Sequence, residues 1–355
     1  QLPYYLVSFF HLLSFSFIDS IKILLAISFL LSGIGMFLWI KKEMGAKPAF
    51  VAAIFYLFAP YHLIDLHFRV SLAEVVSMGL LPFLFLTTKL LIETGLFRYF
   101  LYNSCLFALL LLSHQVTSFV SFPIFVIYAF AVWIRKRKRE FRRYFYMLFA
   151  YVTGFFLAAY YLIPIFLENK FVHYSAEKII SFMPFSYFLY SPDRFGFLFQ
   201  GHMGELYTIV GYTQWIVLFI GFYILFNKKN ASKDKILLGG SLIIFTVLFL
   251  MMQSFTKPIW DAIPVIKNFQ FSWRLMIECI FVIAVIAGIV VKNYKSRTFF
   301  ILLCFFTIAY TILNWGNRKA VPEMNDYVLR NQEVLKEYPG RVDVLTPKWV
   351  DINKV

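Results

Sequence analysis

The chain has 355 residues, 61% hydrophobic and only 15% charged, with a formal net charge of +15. A soluble domain carries about 25% charged residues, so this composition cannot cover a water-facing surface. It excludes a soluble enzyme, a disulfide scaffold and a disordered regulator, and leaves a chain that lives in a bilayer.

Read in chain order, segment 3–16 is apolar but short and predicts an interfacial or re-entrant helix. Spanning helices are predicted at 19–40, 49–63, 72–92, 98–113, 116–134, 144–167, 207–226, 236–253, 275–291 and 298–315. The fold class is therefore all-α, a polytopic helical bundle of about ten spans plus a juxtamembrane helix, filling 1–316. The stretch 317–355 is polar and holds Pro322, Pro339-Gly340 and Pro347. It is expected to be an outward tail, the opening of a soluble domain. The chain opens on an outward segment, so one more span is expected upstream of Gln1.

The loops separate by charge. One alternate set holds Lys41, Lys42, Lys47, Lys89, Arg98, the run Arg135 to Arg139, Arg142, Arg143, Lys228, Lys229, Lys233, Lys235, Lys292, Lys295 and Arg297, against Glu43, Glu93, Glu140 and Asp234. That set accounts for the whole excess of positive charge, and the opposite set is close to neutral. Basic loops stay on the cytoplasmic side, so the charge reports orientation in the membrane, with the tail outside. Such runs meet lipid headgroups, and no nucleic-acid partner is expected.

Cys105, Cys279 and Cys304 lie in or beside spans and make neither a disulfide framework nor a metal spacing. Gly239-Gly240, inside a predicted helix, reads as close helix packing.

Polar groups at membrane depth call for a reason, and they gather at the outward ends. Pro60 should break its helix. The stretch after it carries His62, Asp65, His67, Arg69 and Glu74, with Asp65 and Arg69 four apart on one helical face. His62, Asp65 and His67 are metal-ligating types, but their spacing fits no standard zinc motif, so no metal or other cofactor is assigned. Ser113-His114-Gln115 ends a span. Gln270-Phe271-Ser272-Trp273-Arg274 opens another, where Arg274 stands against the positive-inside bias at a helix start. The outward loop 168–206 is aromatic and expected to lie among headgroups, where it can line a groove for a lipid-linked substrate; its His173 and His202 are assigned no role.

Together, Ala59-Pro60-Tyr61-His62, Asp65, Arg69, Ala73-Glu74, Leu112-Ser113-His114 and Gln270-Phe271-Ser272-Trp273-Arg274 resemble the signatures of the bacterial 6-pyruvoyl-tetrahydropterin synthase-related membrane proteins. That family in turn resembles the C-type glycosyltransferases (GT-C), which use polyprenyl-phosphate sugars. The likeness runs over about 1–315, with Ser272 where a proline is expected. It implies that Leu2-Pro3-Tyr4-Tyr5 belongs to a juxtamembrane helix and that the usual catalytic acid precedes Gln1.

The resulting expectation is glycosyl transfer at the outer face of the membrane. Asp65 and Glu74 are the candidate catalytic carboxylates, because the acceptor hydroxyl must lose a proton. Arg69 and Arg274 are the candidate phosphate ligands, with His114, His62, His67 and Gln270 as further binding candidates. The partners are a polyprenyl-phosphate sugar donor and membrane lipids. A transporter or flippase of lipid-linked glycans would instead show charges within spans, broken helices and internal repeats. A non-catalytic scaffold would leave Arg69 and Arg274 far apart.

Overall fold

The computed structural model describes residues 1–136, 140–168, 171, 180–192, 206–227, 234–263, 266, 269–294, 296–312 and 326–327. Within them the fold is helical throughout: α1 Leu2–Leu12, α2 Phe17–Met44, α3 Ala46–Leu57, α4 Pro60–His67, α5 Leu72–Thr94, α6 Phe97–Ser113, α7 Gln115–Ile134, α8 Phe141–Glu168, α9 Ser186–Leu189, α10 Tyr212–Phe226, α11 Lys235–Met251, α12 Lys257–Ala262, α13 Met276–Asn293 and α14 Arg297–Ile312. Helices stand in all ten segments predicted to span. Five are long and apolar enough to cross a bilayer: α2, α5, α7, α8, and α13 with the turn before it. Two bent pairs, α3–α4 at 47° and α11–α12 with its preceding turn at 82°, raise that number to seven. The helices α6, α10 and α14 are apolar but shorter.

Each break has a local cause. Ala59 is extended, as the residue before a proline must be, and Pro60 then starts α4, where its missing N–H costs nothing. At the second break Gln253 is extended, and the freed Met251 carbonyl accepts from Trp260 Nε1 (2.9 Å) and Thr256 Oγ1 (3.1 Å). One expectation needs correction. The helix predicted from 207 begins only at Tyr212. The β-branched stretch Thr208-Ile209-Val210 runs extended instead, and the Val210 N–H donates to the Phe188 carbonyl (3.0 Å).

α13 is the axis of the bundle. Every residue from Met276 to Val291 is buried, as expected of a helix apolar on all sides. Around it α2, α5 and α7 contribute an aromatic core: Trp39 stacks on Phe281 with centroids 5.2 Å apart, and Phe85 lies 4.7 Å from both rings. In lipid such packing, rather than water exclusion, holds helices together. α8 shows the same rule, turning Phe145, Phe149, Phe156 and Tyr160 outward while Ala150, Gly154 and Ala158 face inward. A Cβ on Gly154 would stand 2.6 Å from the Ser104 carbonyl of α6, so only glycine permits that approach. The Gly-Gly pair is not such a contact throughout: Gly240 faces open space, and only Gly239 comes near a neighbour, Leu225.

Among the described residues every ion pair joins partners from the same charge set. Arg69, Arg274 and His114 meet Asp65 or Glu74, whereas Lys89, Arg135 and Lys292 meet Glu43, Glu93 or Asp234. The two sets therefore occupy separate ends of the bundle. Of the tail, Asp326 and Tyr327 are described. The Asp326 carboxylate accepts from the Phe17 and Ile18 N–H groups (2.8 and 3.4 Å), which would otherwise lack partners at the start of α2. The run Arg137 to Arg139, His173, His202 and the rest of 317–355 lie outside the described residues.

Candidate functional site

Tyr61 and Asp65 share a face of α4, one turn apart. The chain then reverses sharply. The Phe68 and Arg69 N–H groups both donate to the Ile64 carbonyl (2.9 Å each), and Ser71 N–H donates to the Asp65 carbonyl (2.9 Å). Val70 sits at φ 48°, a left-handed conformation that a β-branched residue adopts only when its surroundings force it. This reversal lays the first turn of α5, with Glu74, back over Arg69.

The result is a closed polar knot. Arg69 Nη1 donates to Asp65 Oδ1 (2.5 Å), the Tyr61 hydroxyl (2.9 Å) and Glu74 Oε2 (3.1 Å); Nη2 donates to Glu74 Oε1 (3.1 Å). The Arg69–Glu74 contact is thus the two-pronged fork of a guanidinium on a carboxylate. The Tyr61 hydroxyl donates in turn to Glu74 Oε2 (3.0 Å). The side chains of Asp65 and Glu74 are 0% and 1% exposed, and that of Arg69 17%. Burial works against the Arg69 charge, but the oxygens of Tyr61, Asp65 and Glu74 outweigh it and hold the guanidinium pKa above its usual range.

Two further groups reach Glu74 from other helices. Arg274, in the 3₁₀ turn Ser272–Leu275 before α13, brings Nε to 3.5 Å from Glu74 Oε1, while its Nη1 donates to the Phe269 carbonyl (2.9 Å). Its guanidinium lies over the Phe271 ring at 5.2 Å. His114 caps α7, its Nδ1 accepting from the Thr117 N–H (3.3 Å). That bond places the ring proton on Nε2, which points at Glu74 Oε1 from 3.9 Å.

The turn carrying Arg274 is pinned by the described part of the loop between α8 and α10. Gln270 has φ 65°, its carbonyl accepts from the Ser181 N–H (2.9 Å), and the Ser272 N–H donates to the Ser181 carbonyl (3.0 Å). The described part of that loop is therefore packed on the bundle, with Phe188 fully buried.

Of the residues singled out by sequence, Asp65, Arg69, Glu74, His114 and Arg274 come together, and Gln270 shapes the backbone beside them. His62 does not join them. Its Nδ1 lies 2.9 Å from the Tyr56 carbonyl, and its ring packs against Phe29 and Tyr56, facing α2 and α3. His67 stands half-buried in the last turn of α4. Among the described residues no group of three His, Cys, Asp or Glu side chains is placed to hold a metal ion.

Three features were not anticipated. Tyr61 was legible, because it stands four residues before Asp65 as Asp65 stands before Arg69. Glu278 was legible as an acid one turn beyond Arg274 in an otherwise apolar span. The third is a second polar knot at the far end of α5. There Lys89 Nζ meets Glu43 (3.1 Å) and Glu93 (2.8 Å), and Arg135 approaches Glu43 (3.5 Å). The Tyr128 hydroxyl donates to Glu43 (2.6 Å) and accepts from Trp39 Nε1 (2.7 Å).

The sequence model of a family described as "6-pyruvoyl-tetrahydropterin synthase related domain; membrane protein" matches residues 1–317. No curated protein and no solved structure matches the chain.

Proposed function

The chain belongs to the 6-pyruvoyl-tetrahydropterin synthase-related family of membrane proteins, and we propose that it is a GT-C-like glycosyltransferase. It would act at the outer face of a bacterial inner membrane, with the basic loops in the cytoplasm. The donor is a sugar on a polyprenyl phosphate. The observation that carries this reading is the meeting of Arg69 and Arg274 on one buried carboxylate, Glu74, at the end of the bundle opposite the basic loops.

In the resting knot the Arg69 and Arg274 guanidinium groups are held by Asp65 and Glu74. An incoming lipid phosphate exchanges with a carboxylate as the partner of Arg69 and Arg274, and the freed Asp65 or Glu74 becomes available as a base. Transfer breaks the bond from the sugar to the phosphate oxygen and forms one to the acceptor oxygen. The acceptor proton passes to the carboxylate, and the departing phosphate is stabilised by the guanidinium groups and the His114 Nε2–H. Val70 and Gln270, both held at positive φ, keep the two arginines aimed at that point.

Undecaprenyl phosphate is the probe, since it is the carrier left behind whatever the sugar. In nanodiscs, Arg274→Ala should weaken its binding at least tenfold, and wild-type affinity in that variant would overturn the phosphate role.

Two observations favour a second reading, a flippase for lipid-linked glycans: the bent helix pairs at Ala59 and Gln253, and the buried acid Glu278 within a span. Proteoliposomes loaded with undecaprenyl-phosphate-linked labelled sugar separate the two. Bond cleavage yielding free undecaprenyl phosphate supports transfer, and movement of the intact lipid between leaflets supports transport.

A further inference from the structure

Below the outward knot lies a second polar layer. Glu278 follows Arg274 by four residues, one helical turn or about 6 Å further into the bundle. Ser121 follows Thr117, the His114 partner, by the same interval on α7. These two meet: the Ser121 hydroxyl donates to Glu278 Oε1 (3.0 Å). Ser77 and Ser113 stand 3.2 Å apart, and both donate to the carbonyl of Ala73, the residue before Glu74. Glu278 is 2% exposed, and its Oε2 has no hydrogen-bond partner.

The groups facing Glu278 are few. Tyr56 comes from α3 and Cys279 from its own helix; Glu74 lies above, held by Arg274 and Arg69. The donors to its carboxyl, the Ser121 hydroxyl and its own backbone N–H, are both neutral, and both nearby cations are taken up by Glu74 and Asp65. An ionised carboxylate in such a place, with neutral donors alone beside it, costs far more than a neutral acid with one unsatisfied O–H. Intramembrane acids of this kind occur in proton pathways.

We propose that Glu278 is a proton-binding site, holding a proton at neutral pH and exchanging it, through the unpartnered Oε2, with the polar layer around Glu74 and Arg274. The site takes the proton itself as ligand, and it does not depend on glycosyl transfer. A transferase would use it to store the proton released by an acceptor, and a transporter to couple movement to protons.

Infrared difference spectra of the full chain in nanodiscs, wild type minus Glu278→Gln, test this directly. The expected result is the carbonyl band of a protonated carboxylic acid that shifts in D₂O. Absence of the band means that Glu278 is ionised and overturns the proposal. A band that does not shift means an inert acid and overturns the exchange. Glutamine keeps the bond to Ser121, so the fold should survive. If it does not, dicyclohexylcarbodiimide, which attacks protonated carboxyls in apolar surroundings, is applied to the wild-type protein. A Glu278 adduct that diminishes as pH rises supports the site, and its absence at every pH sinks it.

Discussion

α5 carries a buried polar knot at each end, and the two differ in what they leave unspent. At its C-terminal end Glu43, Lys89, Glu93, Arg135, Tyr128 and Trp39 hold one another, while Lys136 Nζ and Arg143 cap the carbonyls of Ile92 and Glu93 where α5 stops. No buried side-chain atom of those residues lacks a partner among the described residues. At the opposite end Glu278 Oε2 has none among the described residues, the Asp65 carboxyl lies against that of Glu74, and Val70 and Gln270 sit at positive φ. Both knots are buried and both mix acids with bases, so charge alone does not mark a site. Hydrogen-bonding capacity held in reserve, beside strained backbone, is the better sign.

The sharpest way to break this comparison is to remove the central cation from each knot. Arg69→Ala strips both Asp65 and Glu74 of their fork and should destabilise the protein by about 3–5 kcal/mol, with loss of undecaprenyl phosphate binding; thermal unfolding in detergent and a binding isotherm read the two effects. Lys89→Met leaves Glu43 with Arg135 and Tyr128 alone. It should cost about 3 kcal/mol of stability while binding, measured below the melting range, stays at wild-type strength. A binding loss there equal to that of Arg69→Ala would erase the distinction between the ends.

Smaller effects sharpen it. Tyr61→Phe deletes one hydroxyl between Arg69 and Glu74 and should cost about 1 kcal/mol, seen as a modest fall in melting temperature. Val70→Gly should raise stability by up to about 1 kcal/mol, because glycine adopts positive φ without penalty. It should also weaken phosphate binding by loosening the aim of Arg69. If Val70→Gly lowered stability instead, the strain at that turn would not be what the backbone suggests.

How much of this was legible depended on whether a feature was local. Five to seven of the described helices, not ten, are long and apolar enough to span, but the helical character of the ten apolar segments, the break at Pro60 and the four-residue spacing of Asp65 and Arg69 are properties of short windows and read true. The extended stretch before Tyr212 did not, because it is fixed by a distant partner, Phe188. The meeting of Arg69 with Arg274 is likewise tertiary, and spacing along the chain does not encode it. Glu43 and Lys89 enter only the balance of loop charges, and Glu278 stands within an apolar span. The positive-inside rule weighs such residues by side and is blind to whether a charge is solvated or buried in a span.

The enclosure of α13 also bears on how the protein is made. The helix at the centre of the bundle is the next to last in the described chain, so the helices that surround it enter the membrane first. Until Ser272 to Asn293 arrives, Trp39 and Phe85 lack the ring of Phe281, and Glu74 lacks Arg274. The knot around Glu74 is therefore completed late in synthesis. A nascent chain stopped before Ser272 would carry the Asp65–Arg69–Glu74 half of the knot in a bundle that still lacks its central helix.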